Sequence, residues 1–347
     1  GYTTITNGKI FHHRKDTQDR SWSEPAWKSD IHPLRGLKPE TMIKKGKGTI
    51  GLIYEDADVA DDKYSDGDTA RKTIADLKRL KEGGKPFFLA CGFDKPHLPF
   101  YAPKRYWDLY ERDQIKIADN RYRPKHAPKG LKGSNEYRKQ YDLGEYEDGS
   151  EDFHRMMRHG YLACVSYVDK QVGKVLAELE ALGLADNTIV VIWGDHGFHL
   201  GEHTFWGKHN TMHLATRVPL IIRGPGVEAG VSHAIVETSD LFPTLCEMAG
   251  VETPATVQGK SFTSLLGDPS ASFRDAAYCR YYAYNAVITE GFSYTRLGEG
   301  NSEMLYDLKE DPDENVNVAG EEAHAETLVR MRTLLDERDA AAEAWKP

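Results

Sequence analysis

The sequence predicts an α/β fold: a mostly parallel sheet flanked by helices, followed by a small antiparallel sheet and a helix. Three observations predict it. Short apolar runs bounded by turn residues recur at Pro86–Gly92, Thr188–Trp193 and Val218–Ile222. They alternate with stretches of helical period. Beyond about residue 270 the pattern changes to short strands placed close together with turn residues between them.

Residues 13–48 are rich in Lys, Trp, Pro and Gly and read as a long irregular segment. Thr69–Lys81 is predicted helical, because Ile74, Leu77 and Leu80 recur at spacing three and Gly83-Gly84 ends the run. Pro86–Gly92 is short and apolar, so it is expected to be a buried strand. Tyr161–Leu182 has the strongest helical period. Leu162, Val165, Val168, Val172, Val175, Leu176 and Leu179 share one face, and Gly183 takes the C′ position. Thr188–Trp193 and Val218–Ile222 are further buried strands. Ser239 is expected to cap a helix that runs through Met248 and is closed by Gly250. Ala277–Ala283, Ala286–Thr289, Phe292–Arg296 and Glu303–Asp307 read as the antiparallel sheet, and a helix at about Glu321–Ala344 closes the chain. The boundary falls near Gly267-Asp268-Pro269, dividing the chain into 1–268 and 269–347.

The chain has 347 residues with 45 Lys or Arg and 54 Asp or Glu, a formal charge of −9. This acidity argues against a general nucleic-acid binder, which is usually basic. It leaves room for an anionic substrate, because a small site can be locally positive. The longest purely apolar runs, such as Ile189–Trp193, are far short of the roughly 20 residues of a membrane-spanning helix. Cys91, Cys164, Cys246 and Cys279 form no CxxC pair, which removes zinc ribbons and thioredoxin-type motifs. The chain starts at Gly1-Tyr2-Thr3-Thr4, without an initiator Met or a signal n-region, and is expected to have lost its natural N-terminus.

The densest chemical signal runs from Trp193 through Asp195-His196-Gly197 to Lys208-His209 and His213. An apolar strand leads straight into Gly-Asp-His-Gly. Ligands of open α/β sheets bind outside the carboxyl ends of strands, and a carboxylate there suits a hard divalent cation. A turn aspartate beside a surface histidine is the plainer alternative. The second signal is Lys95-Pro96-His97-Leu98-Pro99, where two prolines stiffen the loop and aim His97 as a general acid or base. A purely structural loop histidine would look the same. The third, Asn7-Gly8-Lys9-Ile10-Phe11-His12, pairs a cation with an imidazole. Two other clusters lead elsewhere. Asp61-Asp62 lies in a polar loop and reads as a solvated approach to the Thr69 helix. His199 and His203 stand four apart, but Leu200 follows His199 where a zincin needs Glu.

Together and in this order, these pieces resemble the formylglycine-dependent sulfatases of the alkaline phosphatase superfamily, and most of all the iduronate-2-sulfatase-like branch. GKIFH, KPHLPF and DHGFHLGEHTFWGKH are similar to that branch's motifs. ATRVPLIIRGPG, SDLFPTLCEMAG and LYDLKEDPDENVNVA look like the segments that follow. The resemblance implies that Lys9 and Lys208 hold the sulfate oxygens. Asp195 and His196 would complete a calcium site. His97 would contact sulfate and protonate the leaving group, and His12 would act on the formylglycine hydrate. The nucleophile motif, Cys/Ser-x-Pro/Ala-x-Arg, is a departure: none of the four cysteines stands in it. It and an Asp-Asp metal pair are expected upstream of Gly1, so the given chain is expected to be inactive alone.

The implied substrate is a sulfated sugar or polysaccharide. The implied setting is periplasmic, extracellular or lysosomal. Residues 121–140 carry seven Lys or Arg against one acid, Glu136, and could guide such a polyanion, or could be a solvated loop. Two other functions remain open: a phosphatase, phosphodiesterase or phosphonate hydrolase of the same superfamily, and a non-catalytic carbohydrate-binding homologue.

Overall fold

The computed structural model describes residues 1–12, 16, 18–45, 48–298 and 302–345. The chain forms two compact units, one of residues 1–117 and 135–188, the other of 118–134 and 189–347. No helix among the described residues is long and apolar enough to cross a membrane.

The first unit contains β1 (Thr3–Gly8), α1 (Gln18–Ser21), β2 (Met42–Lys45), β3 (Gly48–Leu52), β4 (Tyr54–Glu55) and α2 (Ser65–Gly83). β5 (Phe87–Gly92), β6 (Phe100–Tyr101), α3 (Lys104–Trp107), α4 (Glu136–Gln140), β7 (Tyr141–Asp142) and α5 (Glu151–Ala181) follow. β1 and β5 pair in parallel from Thr3 opposite Phe87 to Gly8 opposite Gly92. β4–β6 and β3–β7 are parallel too, and β2–β3 is an antiparallel pair inside the stretch expected to be irregular. Of that stretch, residues 13–15, 17, 46 and 47 lie outside the described residues.

α2 packs on β1 and β5 and against α5. It starts at Ser65 rather than Thr69, with Asp66 and Asp68 in the first turn, where the helix dipole favours anions. Gly84, at φ +63°, ends it. β5 forms as predicted but is not fully buried: Phe88 is 47 % exposed. Side chains alternate across a strand. Cys91 meets Thr73 of α2, while Phe88 points to the other face and stacks on Trp22.

α5 starts ten residues before the predicted Tyr161, at Glu151, because the Ser150 hydroxyl accepts the Phe153 N–H as an N-cap. Its most buried face is not the predicted one. Phe153, Met156, Met157, Ala163, Cys164 and Tyr167 are buried, whereas Val165 is 37 % exposed and only Leu179 of the predicted seven is buried. The cause is polar. Tyr167 Oη donates to Asp61 O (2.9 Å) and accepts from Gly67 N (2.7 Å), which turns the tyrosine's face toward the start of α2.

The second unit contains β8 (Val190–Trp193), β9 (His199–Leu200), β10 (Trp206–Gly207), α6 (His213–Thr216), β11 (Leu220–Arg223), α7 (Leu241–Met248) and α8 (Thr263–Gly267). β12 (Ala277–Tyr281), β13 (Tyr284–Ile288), β14 (Phe292–Leu297), β15 (Ser302–Asp307) and α9 (Ala325–Ala344) complete it. β8 and β11 pair antiparallel. Val191, Leu220 and Ile222 pack on Leu241, Phe262 and Leu265, whereas Ile221 points the other way and is 59 % exposed. The strand at 218–222 is thus half-buried rather than buried. Ser239 is not the cap of α7. Glu237 and Asp240 form a reciprocal capping box ahead of it, and Ser239 donates to the Glu237 carboxylate.

β12 to β15 form the predicted antiparallel sheet as a four-stranded meander. Residues 282–283 are a turn rather than strand. α9 lies on this sheet, with Leu328, Met331 and Leu335 at helical spacing against Val287, Tyr294 and Leu305. Residues 118–134 belong to this unit, anchored by Leu131 among Phe205, Met212, Met304 and Tyr306.

Candidate active site

In the first unit, β1 and β5 end side by side. A Cβ on Gly8 would lie 2.0 Å from Gly92 O, and one on Gly92 would lie 2.0 Å from Lys9 O. Only glycine permits this approach. Lys9 N donates to Gly92 O, and Lys9 Nζ lies 4.0 Å from Asp94 Oδ1. Lys9 is thereby held beside the loop that carries His97. His12 lies beyond β1 and is exposed.

That loop is suspended from a carboxylate that sequence reasoning passed over. Asp66, buried in the first turn of α2, accepts Asp94 N (2.9 Å) and Lys95 N (2.8 Å). Burial, with the Asp94 charge adding to it, pushes Asp66 up to about 6. The residue was hidden among Asp56, Asp58, Asp62 and Asp68. The available signal was its position just inside a helix start. Lys95 is also structural: its Nζ donates to Pro99 O (2.6 Å) and His97 O (3.2 Å). His97 Nδ1 lies 2.7 Å from Leu98 O. A carbonyl only accepts, so Nδ1 carries a proton and Nε2 is the nitrogen that can exchange one. Nε2 lies 3.4 Å from Glu136 Oε1.

Asp61 is neither a metal ligand nor solvated. It is buried, paired with Arg105 and Lys174, and accepts from Tyr106 Oη at 2.9 Å. Burying an aspartate requires such partners. Asp62 is exposed.

In the second unit, β8 leads into Asp195-His196-Gly197. A Cβ on Gly197 would lie 2.0 Å from Leu214 O, and Gly197 N donates to Ala215 O. The turn is therefore pressed against α6. The Asp195 side chain is 73 % exposed and lies 3.7 Å from His196 Nε2. His196 Nδ1 donates to Gly197 O at 2.9 Å, so the lone pair of the neutral ring is on Nε2. Metal-ligating histidines commonly donate their other N–H to a backbone carbonyl in this way. Asp195 and His196 thus fit as part of a divalent-cation site. Two ligands do not make a whole one, and among the described residues no group of three or more His, Cys, Asp or Glu is arranged to hold a metal.

Lys208 follows β10, in the segment that ends at α6. A neutral ring supports that segment. His199 is buried, donates from Nε2 to Asn210 Oδ1 (3.2 Å), and is pushed down to about 4 by burial. Asn210 Oδ1 also accepts Met212 N. His203 Nε2 donates to Asp313 O at 2.8 Å. Both rings keep a buried Nδ1 without a hydrogen-bond partner, but among the described residues no group of three or more His, Cys, Asp or Glu forms around them to hold a metal. Glu314, fully buried, accepts His213 N at 2.7 Å, and burial pushes it up to about 7. The structure thus brings Lys9 toward the His97 loop in one unit, and Asp195 to His196 in the other.

The fold defines the class: an α/β architecture of the sulfatase and alkaline-phosphatase-like type. Residues 1–251 match the Sulfatase family and residues 201–341 match the family described as N-sulphoglucosamine sulphohydrolase, C-terminal. The chain belongs to the sulfatase family. It is similar to iduronate 2-sulfatase of Mus musculus, 33% identical over 312 residues, 76% of this chain and 54% of that protein. It is also similar to N-acetylglucosamine-6-O-sulfatase of Bacteroides thetaiotaomicron, 38% identical over 51% of this chain and 34% of that protein. The chain spans about half the length of the curated relatives it matches, 53% to 55% for the iduronate 2-sulfatases and a Formosa agariphila sulfatase. Two solved structures share the fold. One, in complex with its substrate D-glucosamine-2-N,6-O-disulfate, has a TM-score of 0.74 at 23% identity over all of this chain and 81% of that one. The other, a phosphonate monoester hydrolase from Silicibacter pomeroyi, has a TM-score of 0.72 at 24% identity over 88% of this chain and 66% of that one.

Proposed function

We propose that this chain supplies the sulfate-binding and proton-donating groups of an enzyme that hydrolyses sulfate monoesters on a sugar. One observation carries the reading. His97, in the loop after β5, and His196, in the turn after β8, each commit Nδ1–H to a backbone carbonyl, so Nε2 is the nitrogen each can offer, which supports one as the acid and the other as a metal ligand. Family membership supports the reaction, and the sulfated-sugar enzymes among the relatives support the substrate class.

Sulfate ester hydrolysis needs a positive cradle, a nucleophile and a proton for a poor leaving group. Lys9 and Lys208 neutralise charge on the sulfate oxygens as the S–O bond breaks. His97 Nε2 gives a proton to the leaving alcohol oxygen. Asp195 and His196 would help to hold a calcium ion, which supplies Lewis-acid stabilisation when bound. His12 would serve as a base toward formylglycine, which would supply the nucleophilic oxygen. None of the four cysteines stands in the nucleophile motif, and burial pushes the Cys91 and Cys164 thiols up to about 12, far from the thiolate form at neutral pH. Residues 1–347 alone are therefore inactive. The C-terminal subdomain 269–347 and a periplasmic, extracellular or lysosomal setting belong to the same proposal.

The shared fold of phosphonate monoester hydrolase keeps a phosphoryl-transfer reading in play. One assay separates them. Sulfate, phosphate and phosphonate monoesters are offered to residues 1–347 and to a form that carries the Cys/Ser-x-Pro/Ala-x-Arg motif. Sulfate hydrolysis by the second form only is expected. A preference for phosphate or phosphonate, or sulfate turnover by residues 1–347 free of host enzyme, would overturn the proposal.

A further inference from the structure

The hairpin between β12 and β13 turns in two residues, Tyr282 and Ala283, with Tyr281 opposite Tyr284. Two-residue hairpin turns require positive φ and strongly prefer Gly, Asn or Asp there. Tyr282 adopts φ +50° and is 80 % exposed. A bulky residue at positive φ is strained, and this one gains no burial in exchange. Stability alone would favour glycine, so the ring at this tip needs another reason.

Its surroundings suggest one. The Tyr282 ring meets the Tyr281 ring edge-on at 4.8 Å, and Tyr281 stacks on His209 at 5.4 Å and 10°. His209 is the residue after Lys208. Arg280 Nε donates to Tyr282 O at 3.1 Å and holds the tip. Tyr284 Oη donates to Gly130 O at 2.5 Å, which ties the hairpin to the basic stretch where Lys129 and Lys132 are exposed. Aromatic rings, cations and the neighbour in sequence of the candidate sulfate lysine therefore come together within one unit.

We propose that the exposed ring of Tyr282, braced edge-on by Tyr281, which is itself stacked on His209, is the platform on which a pyranose ring of the substrate stacks. The apolar C–H face of a pyranose covers an aromatic ring and releases water from both. The flanking lysines suit further anionic groups along the same glycan, so the occupant is a sulfated oligosaccharide. This rests on the sulfatase reading for the role of Lys208, but the Tyr282 ring touches the sugar and not the sulfate.

NMR titration of residues 1–347 with inorganic sulfate and with a heparin disaccharide sulfated on its uronate tests it. Tyr282→Gly should raise the thermal midpoint by relieving the backbone, yet weaken the disaccharide about tenfold. Tyr281→Ala should weaken it similarly and Tyr281→Phe should retain it. Inorganic sulfate should bind all three like the parent. Unchanged disaccharide affinity in both Tyr282→Gly and Tyr281→Ala overturns the platform. If those variants lose the disaccharide while Lys208→Ala binds both ligands normally, the platform stands and the sulfate role of Lys208 falls. If the parent binds neither ligand, both fall.

Discussion

The loop after β5, which carries His97, and the segment after β10, which carries Lys208, are held by opposite means. The first hangs from the buried carboxylate of Asp66, which burial pushes up to about 6. The second rests on the neutral, buried ring of His199, which burial pushes down to about 4. In both, desolvation disfavours the charged form, but the pH consequences have opposite signs. Between its ordinary value near 3.8 and about 6, Asp66 binds more protons folded than unfolded, so its contribution weakens as pH rises through that window. Between about 4 and 6.5, His199 binds more protons unfolded, so its contribution is lost as pH falls. Acid sensitivity is therefore concentrated under the Lys208 segment, not under His97.

Removing the first support should have the largest effect. Asp66→Ala leaves the Asp94 and Lys95 amides without their acceptor, and should cost about 4 kcal/mol in urea unfolding. Asp66→Asn keeps one acceptor oxygen and should cost less. Next, the gap between 6.5 and about 4 for His199 corresponds to about 3 kcal/mol. The parent should lose stability across that range relative to His199→Asn. Flat, parallel curves would contradict the contrast. Glu314 sharpens it from the other side. Its charge is penalised as pH rises from 4.5 through about 7, whereas Glu314→Gln keeps an acceptor for His213 N. That variant should match the parent near pH 4 and exceed it at pH 8 by about 3 kcal/mol. Ser150→Ala supplies the control. It removes the cap of α5, and should cost about 1 kcal/mol at every pH tested.

The sequence disclosed what periodicity and turn chemistry encode: the Thr69 helix, the apolar strands, the antiparallel meander and the Asp195–His196 turn. It concealed what depends on tertiary partners. The valine stripe of α5 outscored the buried face because Tyr167 and Gln171 are polar and bury only by finding bonds. Asp61 and Asp66 looked like solvated acids because the cations and amides that hold them are distant in sequence. Glu314 was visible only as part of a resembling segment, since nothing local marks an acid that accepts the His213 amide. Candidate residues could be named from the sequence; the groups that hold their loops could not.

The most direct test of the account is the leaving-group dependence of a His97 variant in the form that carries the nucleophile motif. If His97 Nε2 is the acid, His97→Ala should lower kcat/KM severely for an alkyl-type sugar sulfate and much less for nitrophenyl sulfate, whose leaving group needs little protonation. Lys208→Ala should lower both in similar proportion, because it acts on the sulfate group itself. Equal losses on both substrates for His97→Ala would contradict the acid role and leave His97 as a sulfate-binding residue.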